Sequence, residues 1–335
     1  MSYSTNARAP WVEFTQSELL VQVHRQPMAA FCLAETDSAR HPHALNTYPV
    51  FQGRGRINAM HIFDEPKIDC HAHVLDPVKF PYGRDIAYKP AGQEIGTTAQ
   101  LIQVMKTYGV RHALLVQPNS GYGNDNSCML DAIAKGEGRF KGIAIIDLQA
   151  NVATLKEIQA RGIVGAAINP TFHGNEYYRQ ADSLMKRLAD LDMFFNLQVE
   201  NDQLLMFAPW IEKIPVKVLI DHVGRPTPPA GIQQPAFQAM LRLAKTRRVN
   251  VKISGYLKFT KGSYPFEDCW PFVRTLVDAF TLDHCMWASD WPYLRARERQ
   301  DYGPLVQLAG QLFPNSDDRR KLFWDTPNRL FKFAQ

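Results

Sequence analysis

Two histidines one residue apart, His71 and His73, follow an apolar run in the stretch "PKIDCHAHVLDP" (66–77). Alternate side chains of a β-strand share a face, so both imidazoles are expected on one face, together with Lys67 and Asp69. Two neighbouring imidazoles at a strand end can bind a metal ion, polarise a carbonyl group or relay a proton. The spacing alone leaves a pair of solvated strand-end histidines as an equal alternative.

Short apolar runs recur from Lys67 onward and indicate eight strands. They alternate with helical patterns such as "TTAQLIQVMKTYG" (97–109), in which Leu101 and Met105 share a face and Gly109 ends the helix. The eight runs are "KIDCHAHV", "HALLVQP", "FKGIAIID", "GAAINP", "FFNLQVE", "KVLIDHV", "VNVKISG" and "CMWASDW". Apolar strands alternating with helices predict an α/β fold, a (β/α)8 TIM barrel, and no GxGxxG motif follows the first strand to favour a dinucleotide-binding sheet.

The first part of the chain differs from the rest. Residues 1–65 show little periodicity yet contain apolar side chains such as Trp11, Phe14 and Phe51, which are too many for a solvated tail. We therefore expect an N-terminal extension, an arm that packs on the barrel or on a partner subunit of a homodimer. Residues 66–335 are expected to form the barrel.

Composition limits the class of protein. The net charge of +5 comes from 38 basic and 33 acidic residues without a basic run, which argues against a nucleic-acid partner. The five cysteines form no CxxC pair, so a disulfide framework is not expected. No apolar run approaches the ~18 residues of a membrane span, and the start lacks a secretory signal pattern. We expect a cytoplasmic protein that acts on a small molecule.

Polar residues concentrate at the ends of the predicted strands, where the loops of a barrel surround its mouth. His71 and His73 end the first strand, His222 follows the sixth, and Asp290 follows the eighth. Three histidines and a carboxylate at the mouth of one barrel indicate a functional site there. The other polar residues at strand ends are Gln117, Asn119, Asp147, Asn169, Gln198, Glu200, Asp221, Lys252 and Ser254.

Three motifs at barrel spacing, "DCHAHV", "LIDHVGRP" and "WASDWPY", resemble the amidohydrolase superfamily. They are most similar to its branch of 2-pyrone-4,6-dicarboxylate lactonase and sugar lactonases, as are "GRFKGIAIID" and "YGNDNSCMLDAI". The resemblance runs from about Lys67 to Phe333. It implies a TIM barrel and a hydrolase that opens a lactone or a similar cyclic ester.

The resemblance also bears on a metal cofactor. Metal-dependent members typically bind a divalent ion through the histidine pair of the first strand, a histidine of the fifth and the aspartate of the eighth. Here the candidate on the fifth strand is Gln198, a poor zinc ligand compared with imidazole. We expect no cofactor. The alternative is one divalent ion, zinc or manganese, bound by His71, His73 and Asp290.

Lactone hydrolysis needs a water nucleophile, a base and donors for the developing oxyanion. We expect Asp290 to be the base, and His71, His73 and His222 to polarise the carbonyl group. A structural carboxylate bonded to the histidines is the alternative for Asp290. Arg225, in "DHVGRP", is expected to bind a substrate carboxylate through paired hydrogen bonds, with a salt bridge to a loop acid as the alternative.

Further substrate-binding candidates lie in the same loops. Lys258 is a second candidate for binding an anion, with a surface lysine as its alternative. Asn119 and Gln198 offer amides, and Tyr82 and Tyr122 offer phenol groups or stacking faces, unless they pack in the core.

The fourth strand bears on the substrate, and two other functions stay open. "GAAINP" has Ala166 and Ala167 where the dicarboxylate lactonase carries arginine, which favours a lactone with one carboxylate, or a sugar or aromatic-derived lactone. The alternatives are a metal-dependent decarboxylase or hydratase, and a non-catalytic binding barrel. Retention of the strand-end histidines and Asp290 argues against the last, because barrel stability requires none of them.

Overall fold

Eight parallel strands, each paired with the next in chain order, form the centre of the structure, a computed structural model that describes residues 60–334. This confirms the predicted TIM barrel. Every strand overlaps a predicted apolar run and ends before that run does, so most of the polar residues at the run ends lie in the following loops. The strands are β1 (Lys67–Ala72), β2 (Val110–Val116), β3 (Phe140–Ala144), β4 (Ile163–Ile168), β5 (Phe194–Leu197), β6 (Lys217–Ile220), β7 (Val249–Ile253) and β8 (Cys285–Trp287).

Helices cover the outer faces of the strands. Leu101 and Met105 are buried on the first helix, as predicted, and Gly109 follows it with φ of 69°. A Cβ there would lie 2.5 Å from the carbonyl oxygen of Phe63. The helices are α1 (Thr98–Thr107), α2 (Ser127–Lys135), α3 (Val152–Ala160), α4 (Pro170–Tyr177), α5 (Ala181–Asp190), α6 (Leu204–Lys213), α7 (Pro235–Leu243), α8 (Trp270–Phe280), α9 (Tyr302–Leu312), α10 (Ser316–Arg320) and α11 (Thr326–Phe331).

Strand β1 departs from the alternation expected of it. Its register against β2 shifts between Asp69 and Ala72, as a β-bulge does. Asp69 accepts hydrogen bonds from Ser289 and from Tyr302 of α9, whereas His71 contacts side chains at the ends of β6 and β7. The prediction that Asp69 and His71 share a face is therefore wrong, because the bulge interrupts the two-residue period.

The barrel closes between β1 and the end of β8. The amide of Asp290 donates to the carbonyl oxygen of His71 at 2.9 Å. The carboxylate of Asp69 accepts from the amide of Ser289 at 2.9 Å and from its hydroxyl at 2.5 Å. Closure thus joins "DCHAHV" to "WASDWPY" and brings the histidine pair beside Asp290.

The last residues of the predicted arm contact the barrel. Within residues 60–65, Glu65 forms an ion pair with Arg319, with nitrogen and oxygen 2.5 Å apart. Residues 1–59 lie outside the described residues, so the arm and its use in a homodimer stay predictions. In the part of the chain that the structure describes, no helix is long and apolar enough to cross a membrane.

Candidate active site

The structure brings the four predicted catalytic side chains together at the mouth of the barrel. Oδ1 of Asp290 lies 3.4 Å from Nε2 of His73, 3.8 Å from Nε2 of His71 and 3.7 Å from Nε2 of His222. All four residues are buried. One carboxylate oxygen therefore faces three imidazole nitrogens.

Hydrogen bonds on the far side of two imidazole rings orient them. Nδ1 of His73 lies 2.7 Å from the carbonyl oxygen of Val116, which only accepts, so Nδ1 carries the proton. The other ring nitrogen, Nε2, faces Asp290. Nδ1 of His222 lies 3.0 Å from the hydroxyl of Ser254 at the end of β7.

The loops that present these side chains contain unusual backbone conformations. His222, Arg225 and Asp290 have φ of 54°, 45° and 63°, in the left-handed region that non-glycine residues seldom adopt. Such strain costs about 1–3 kcal/mol per residue and clusters at functional sites. Gly255, after β7, has φ of 65°, and a Cβ there would lie 2.4 Å from the ring of His222.

A buried polar network lies beneath His71. Nζ of Lys252 is 2.7 Å from Oδ1 of Asn196 and 2.9 Å from Oδ1 of Asp221, whose Oδ2 accepts from the Asn196 amide at 2.8 Å. Nδ1 of His71 lies 3.2 Å from Asp221 and 3.3 Å from Lys252. Sequence reasoning placed Lys252 and Asp221 at strand ends but assigned them no role; a lysine within the apolar run "VNVKISG" is the signal that identifies the network.

Burial and neighbouring charges determine the protonation of the site. Burial lowers the pKa of His71 to about 4 and that of His222 well below its ordinary value. Burial alone would raise the pKa of Asp290, but the ammonium of Lys258, 3.5 Å from Oδ2, and the nearby imidazoles hold it well below its usual range. At neutral pH the site therefore contains neutral His71 and His222 beside an ionised carboxylate.

A cavity of about 390 Å³ is lined by His73, His222 and Asp290, whereas His71 is fully buried and is not among the lining residues. One wall is a chain of amides from the loops after β2, β4 and β5. Nδ2 of Asn169 donates to Oδ1 of Asn119 at 2.8 Å, and Nε2 of Gln198 donates to Oδ1 of Asn169 at 3.2 Å. Thr171 and His173 extend this wall by bonding to Gln198 at 3.0 Å and to Asn119 at 3.0 Å. Asn169 was predicted as a polar residue at a strand end but was given no role, whereas Thr171 and His173 were not predicted, because no motif distinguishes them.

Two predicted cationic residues line the cavity. Arg225 lies 3.9 Å from Glu200, and its Nε is buried without a hydrogen-bond partner among the described residues. Lys258 points toward Asp290 and donates to the backbone of Leu294, so it is not the surface lysine of the alternative interpretation. Both cationic side chains therefore line the cavity, as predicted.

Two predicted tyrosines lie outside this cavity, and two arginines that were not predicted line it. The rings of Tyr82 and Tyr122 pack edge to face at 5.2 Å, and the Tyr122 hydroxyl accepts from the amide of Asp76. Arg295 and Arg297 line the rim and are exposed. The run "RARER" is typical of a solvated segment, which is why sequence reasoning missed them.

Comparison with known proteins gives the family. The sequence model of a family described as Amidohydrolase matches residues 68–333. The chain belongs to this amidohydrolase family. Over 271 residues this amidohydrolase is 31% identical to the 4-sulfomuconolactone hydrolase of Hydrogenophaga intermedia, with 78% of this chain and 88% of the relative covered.

Two further proteins are similar to this amidohydrolase. The 2-pyrone-4,6-dicarboxylate hydrolase of Comamonas testosteroni is 25% identical over 278 residues, with 79% of this chain and 89% of the relative covered. A solved structure from Pseudomonas putida that carries the name 2-pyrone-4,6-dicarboxylic acid hydrolase superposes with a TM-score of 0.72. It is 24% identical, with 82% of this chain and 100% of that chain covered, and supports the fold.

Three residues of this amidohydrolase are close enough together to hold one divalent ion. Nε2 of His71, Nε2 of His73 and a carboxylate oxygen of Asp290 lie within 4.8 Å of one another. Nε2 of His73 and Oδ1 of Asp290 lie 3.4 Å apart. Nε2 of His71 is buried without a hydrogen-bond partner among the described residues. Three protein ligands with an open position are typical of catalytic zinc.

Proposed function

We propose that this amidohydrolase hydrolyses an anionic lactone, with Asp290 as the base that activates water. The single observation that carries the proposal is the ionised carboxylate of Asp290, which faces three imidazoles beside a cavity lined by cations. The names of the relatives add support, since 4-sulfomuconolactone and 2-pyrone-4,6-dicarboxylate are both lactones.

In this proposal Asp290 and His73, which both line the cavity, bind the attacking water molecule. A water molecule bound to the carboxylate of Asp290 beside His73 adds its oxygen to the lactone carbonyl carbon as Asp290 takes the proton. The bond between the carbonyl carbon and the ring oxygen then breaks. Asp290 returns the proton to that ring oxygen, which yields a hydroxy acid. His73, which the sequence predicts to polarise the carbonyl group, is assigned to the water in this proposal because its Nε2 lies 3.4 Å from Oδ1 of Asp290.

In this proposal His222, which lines the cavity, and the neighbouring His71 polarise the carbonyl oxygen. Both are buried, and their rings lie 4.7 Å apart. Their low pKa values keep them neutral, and a neutral imidazole with its proton on Nε2 donates a hydrogen bond to a developing oxyanion. Since Asp290 has a low pKa and is a weak base, this polarisation lowers the barrier to attack by water.

The cavity walls support the choice of substrate. Arg225, Lys258, Asn119 and Gln198 all line the cavity, and we propose that the two cations bind an anionic group while the two amides bind uncharged oxygens. Ala167 lines the cavity without contributing a charge. A lactone with one carboxylate close to the reacting ring, or a sugar or aromatic-derived lactone acid, fits this arrangement.

A divalent ion is compatible with the same residues. If one binds, His71, His73 and Asp290 would hold it, and it would supply Lewis-acid polarisation of the lactone carbonyl. The proposal itself requires only side chains of this chain.

The test is the Asp290→Asn variant, screened against a panel of lactone acids by proton release. We expect turnover to fall at least ~10²-fold, as is usual when a general base is lost. Asp147→Asn is the matched control, because Asp147 also follows a strand but is exposed and does not line the cavity. Near wild-type turnover of Asp290→Asn would refute the assignment of the base.

A further inference from the structure

The side chain of Lys252 is fully buried, and its hydrogen bonds are nearly accounted for. Its ammonium has three N–H donors. Two of them reach Oδ1 of Asn196 at 2.7 Å and Oδ1 of Asp221 at 2.9 Å. The third has one acceptor within reach among the described residues, Nδ1 of His71 at 3.3 Å.

The contacts of Lys252 and Asp221 with His71 require different positions of the proton on its imidazole ring. Lys252 only donates, so its contact requires that Nδ1 of His71 carry no proton. The carboxylate of Asp221 only accepts, so its contact at 3.2 Å requires the proton on Nδ1. A neutral imidazole can satisfy only one of these two contacts, and which one it satisfies determines whether Nε2, 3.8 Å from Oδ1 of Asp290, carries a proton or a lone pair.

The other hydrogen bonds of the network favour a His71 whose Nδ1 carries no proton and accepts from Lys252. Asp221 already accepts from Lys252 on Oδ1 and from Asn196 on Oδ2, so both of its oxygens are bonded without His71. Among the described residues, the third proton of Lys252 has no acceptor within reach except Nδ1 of His71. Leaving a donor of a buried ammonium unpaired costs more free energy than leaving one lone pair of a carboxylate unused.

We propose that Lys252 is a positioning residue that holds His71 with its proton on Nε2, so that His71 donates to the lactone carbonyl oxygen and does not ligate a metal. The donation to the carbonyl oxygen rests on the proposed lactone hydrolysis, whereas the position of the proton does not. A metal ligand needs a bare Nε2, and the Lys252 ammonium also repels a divalent ion. Lys252 therefore biases this site toward chemistry that relies on imidazole donors.

Nitrogen NMR reads the tautomer directly. Protein labelled with ¹⁵N-histidine contains ten histidines, and His71→Gln identifies the signals of His71. We expect wild-type protein at neutral pH to show His71 protonated on Nε2 alone. Protonation on Nδ1, or on both nitrogens, overturns the proposal. This spectrum requires no turnover, so its result is distinct from failure of the lactonase assay.

Lys252→Met supplies the second measurement. Without the ammonium, Nδ1 of His71 is expected to donate to Asp221, and zinc titrated into metal-free protein should bind about tenfold more tightly or better. The kcat for the lactone should fall while KM changes little. An unchanged tautomer and unchanged zinc affinity would contradict the proposal.

Asn196→Ala is the matched control. It removes a buried partner of the same ammonium but leaves the contact between Lys252 and His71. We expect the tautomer of His71 to be retained in this variant, whereas general loosening of the network would shift it in both variants and refute a specific role for Lys252. If Lys252→Met does not fold, the wild-type spectrum and Asn196→Ala still decide the proposal.

Discussion

At the scale of single residues, the site depends on buried groups whose charges are set by their neighbours. Asp221 stays ionised because the ammonium of Lys252, 2.9 Å from its Oδ1, outweighs the burial that would raise its pKa. Burial keeps His71 and His222 neutral. Ionised carboxylates and neutral imidazoles therefore lie within a few ångströms of one another, which is the combination that a base and its oxyanion donors need.

Arg225→Ala should chiefly raise KM for an anionic lactone. A charge-assisted hydrogen bond contributes about 1.5–3 kcal/mol, so KM should rise roughly 10- to 100-fold with little change in kcat. Steady-state kinetics at several substrate concentrations measure both constants. Arg299→Ala is the control, because Arg299 is exposed and pairs with Asp301 away from the cavity. An unchanged KM with a lower kcat would instead assign Arg225 to oxyanion stabilisation.

Acid should destabilise the protein between pH 6.5 and 4. The unfolded chain binds a proton on His71 near pH 6.5, but the folded protein binds it only near pH 4, so protons favour the unfolded state within this window. The contribution of His71 is complete above pH 6.5 and is lost as the pH falls to about 4; it amounts to about 3 kcal/mol.

Urea unfolding at several pH values within that window measures the effect. His71→Asn, which cannot take up the proton, is the control and should lose less stability on acidification. The depressed pKa values of Asp221 and Asp290 act in the same direction but at lower pH. Equal pH dependence in wild type and variant would show that His71 is not the titrating group.

At the scale of elements, strand ends and the turns that follow them position the site. The turn after β6 places His222 and Arg225 in left-handed conformations, and the turn after β7 must approach the His222 ring closely. Gly255 makes that approach possible because it has no Cβ. The bulge in β1 turns His71 into the barrel while Asp69 bonds to Ser289.

Gly255→Ala should displace the ring of His222, because the new Cβ would lie 2.4 Å from it. A displacement of about 1 Å in a catalytic group lowers turnover roughly 10²-fold. Gly231→Ala is the matched control: Gly231 has nearly the same φ, 67°, but nothing lies within 4 Å of its Cβ position. Turnover by Gly255→Ala equal to that by Gly231→Ala would exclude the positioning role.

At the scale of the whole molecule, the predicted arm is the main open question. Residues 1–59 contain Trp11, Phe14, Phe31 and Phe51, and these side chains need a surface against which to be buried. We propose that they pack on the barrel or on a second protomer. The contact of Glu65 with Arg319 shows that the segment leading into β1 is already fixed to the barrel.

Deleting residues 2–59 should lower the melting temperature, change the oligomeric state, or both, because apolar surface would lose its cover. Thermal unfolding and light scattering measure the two outcomes. The deletion keeps residues 60–65, so the ion pair of Glu65 is preserved and a loss is attributable to the arm. A soluble truncated protein with the same mass and melting temperature would show that the arm is dispensable.

The sequence by itself determined the barrel and the four side chains at its mouth. Apolar periodicity and strand-end polarity are local properties of the chain, and the parallel barrel brings the ends of all its strands to one mouth, so His71, His73, His222 and Asp290 were placed without coordinates. The strand order followed for the same reason, since each strand pairs with its neighbour in the chain.

Only the tertiary structure decided which side chains meet. The bulge that turns Asp69 away from His71 depends on how β1 pairs with β2. The contact of Lys252 with His71 joins β7 to β1, and Tyr82 lies outside the cavity because of how its loop folds. These distances depend on barrel closure and loop conformation, which no short stretch of sequence encodes, because hydrogen bonds across strands form only when distant segments are brought together.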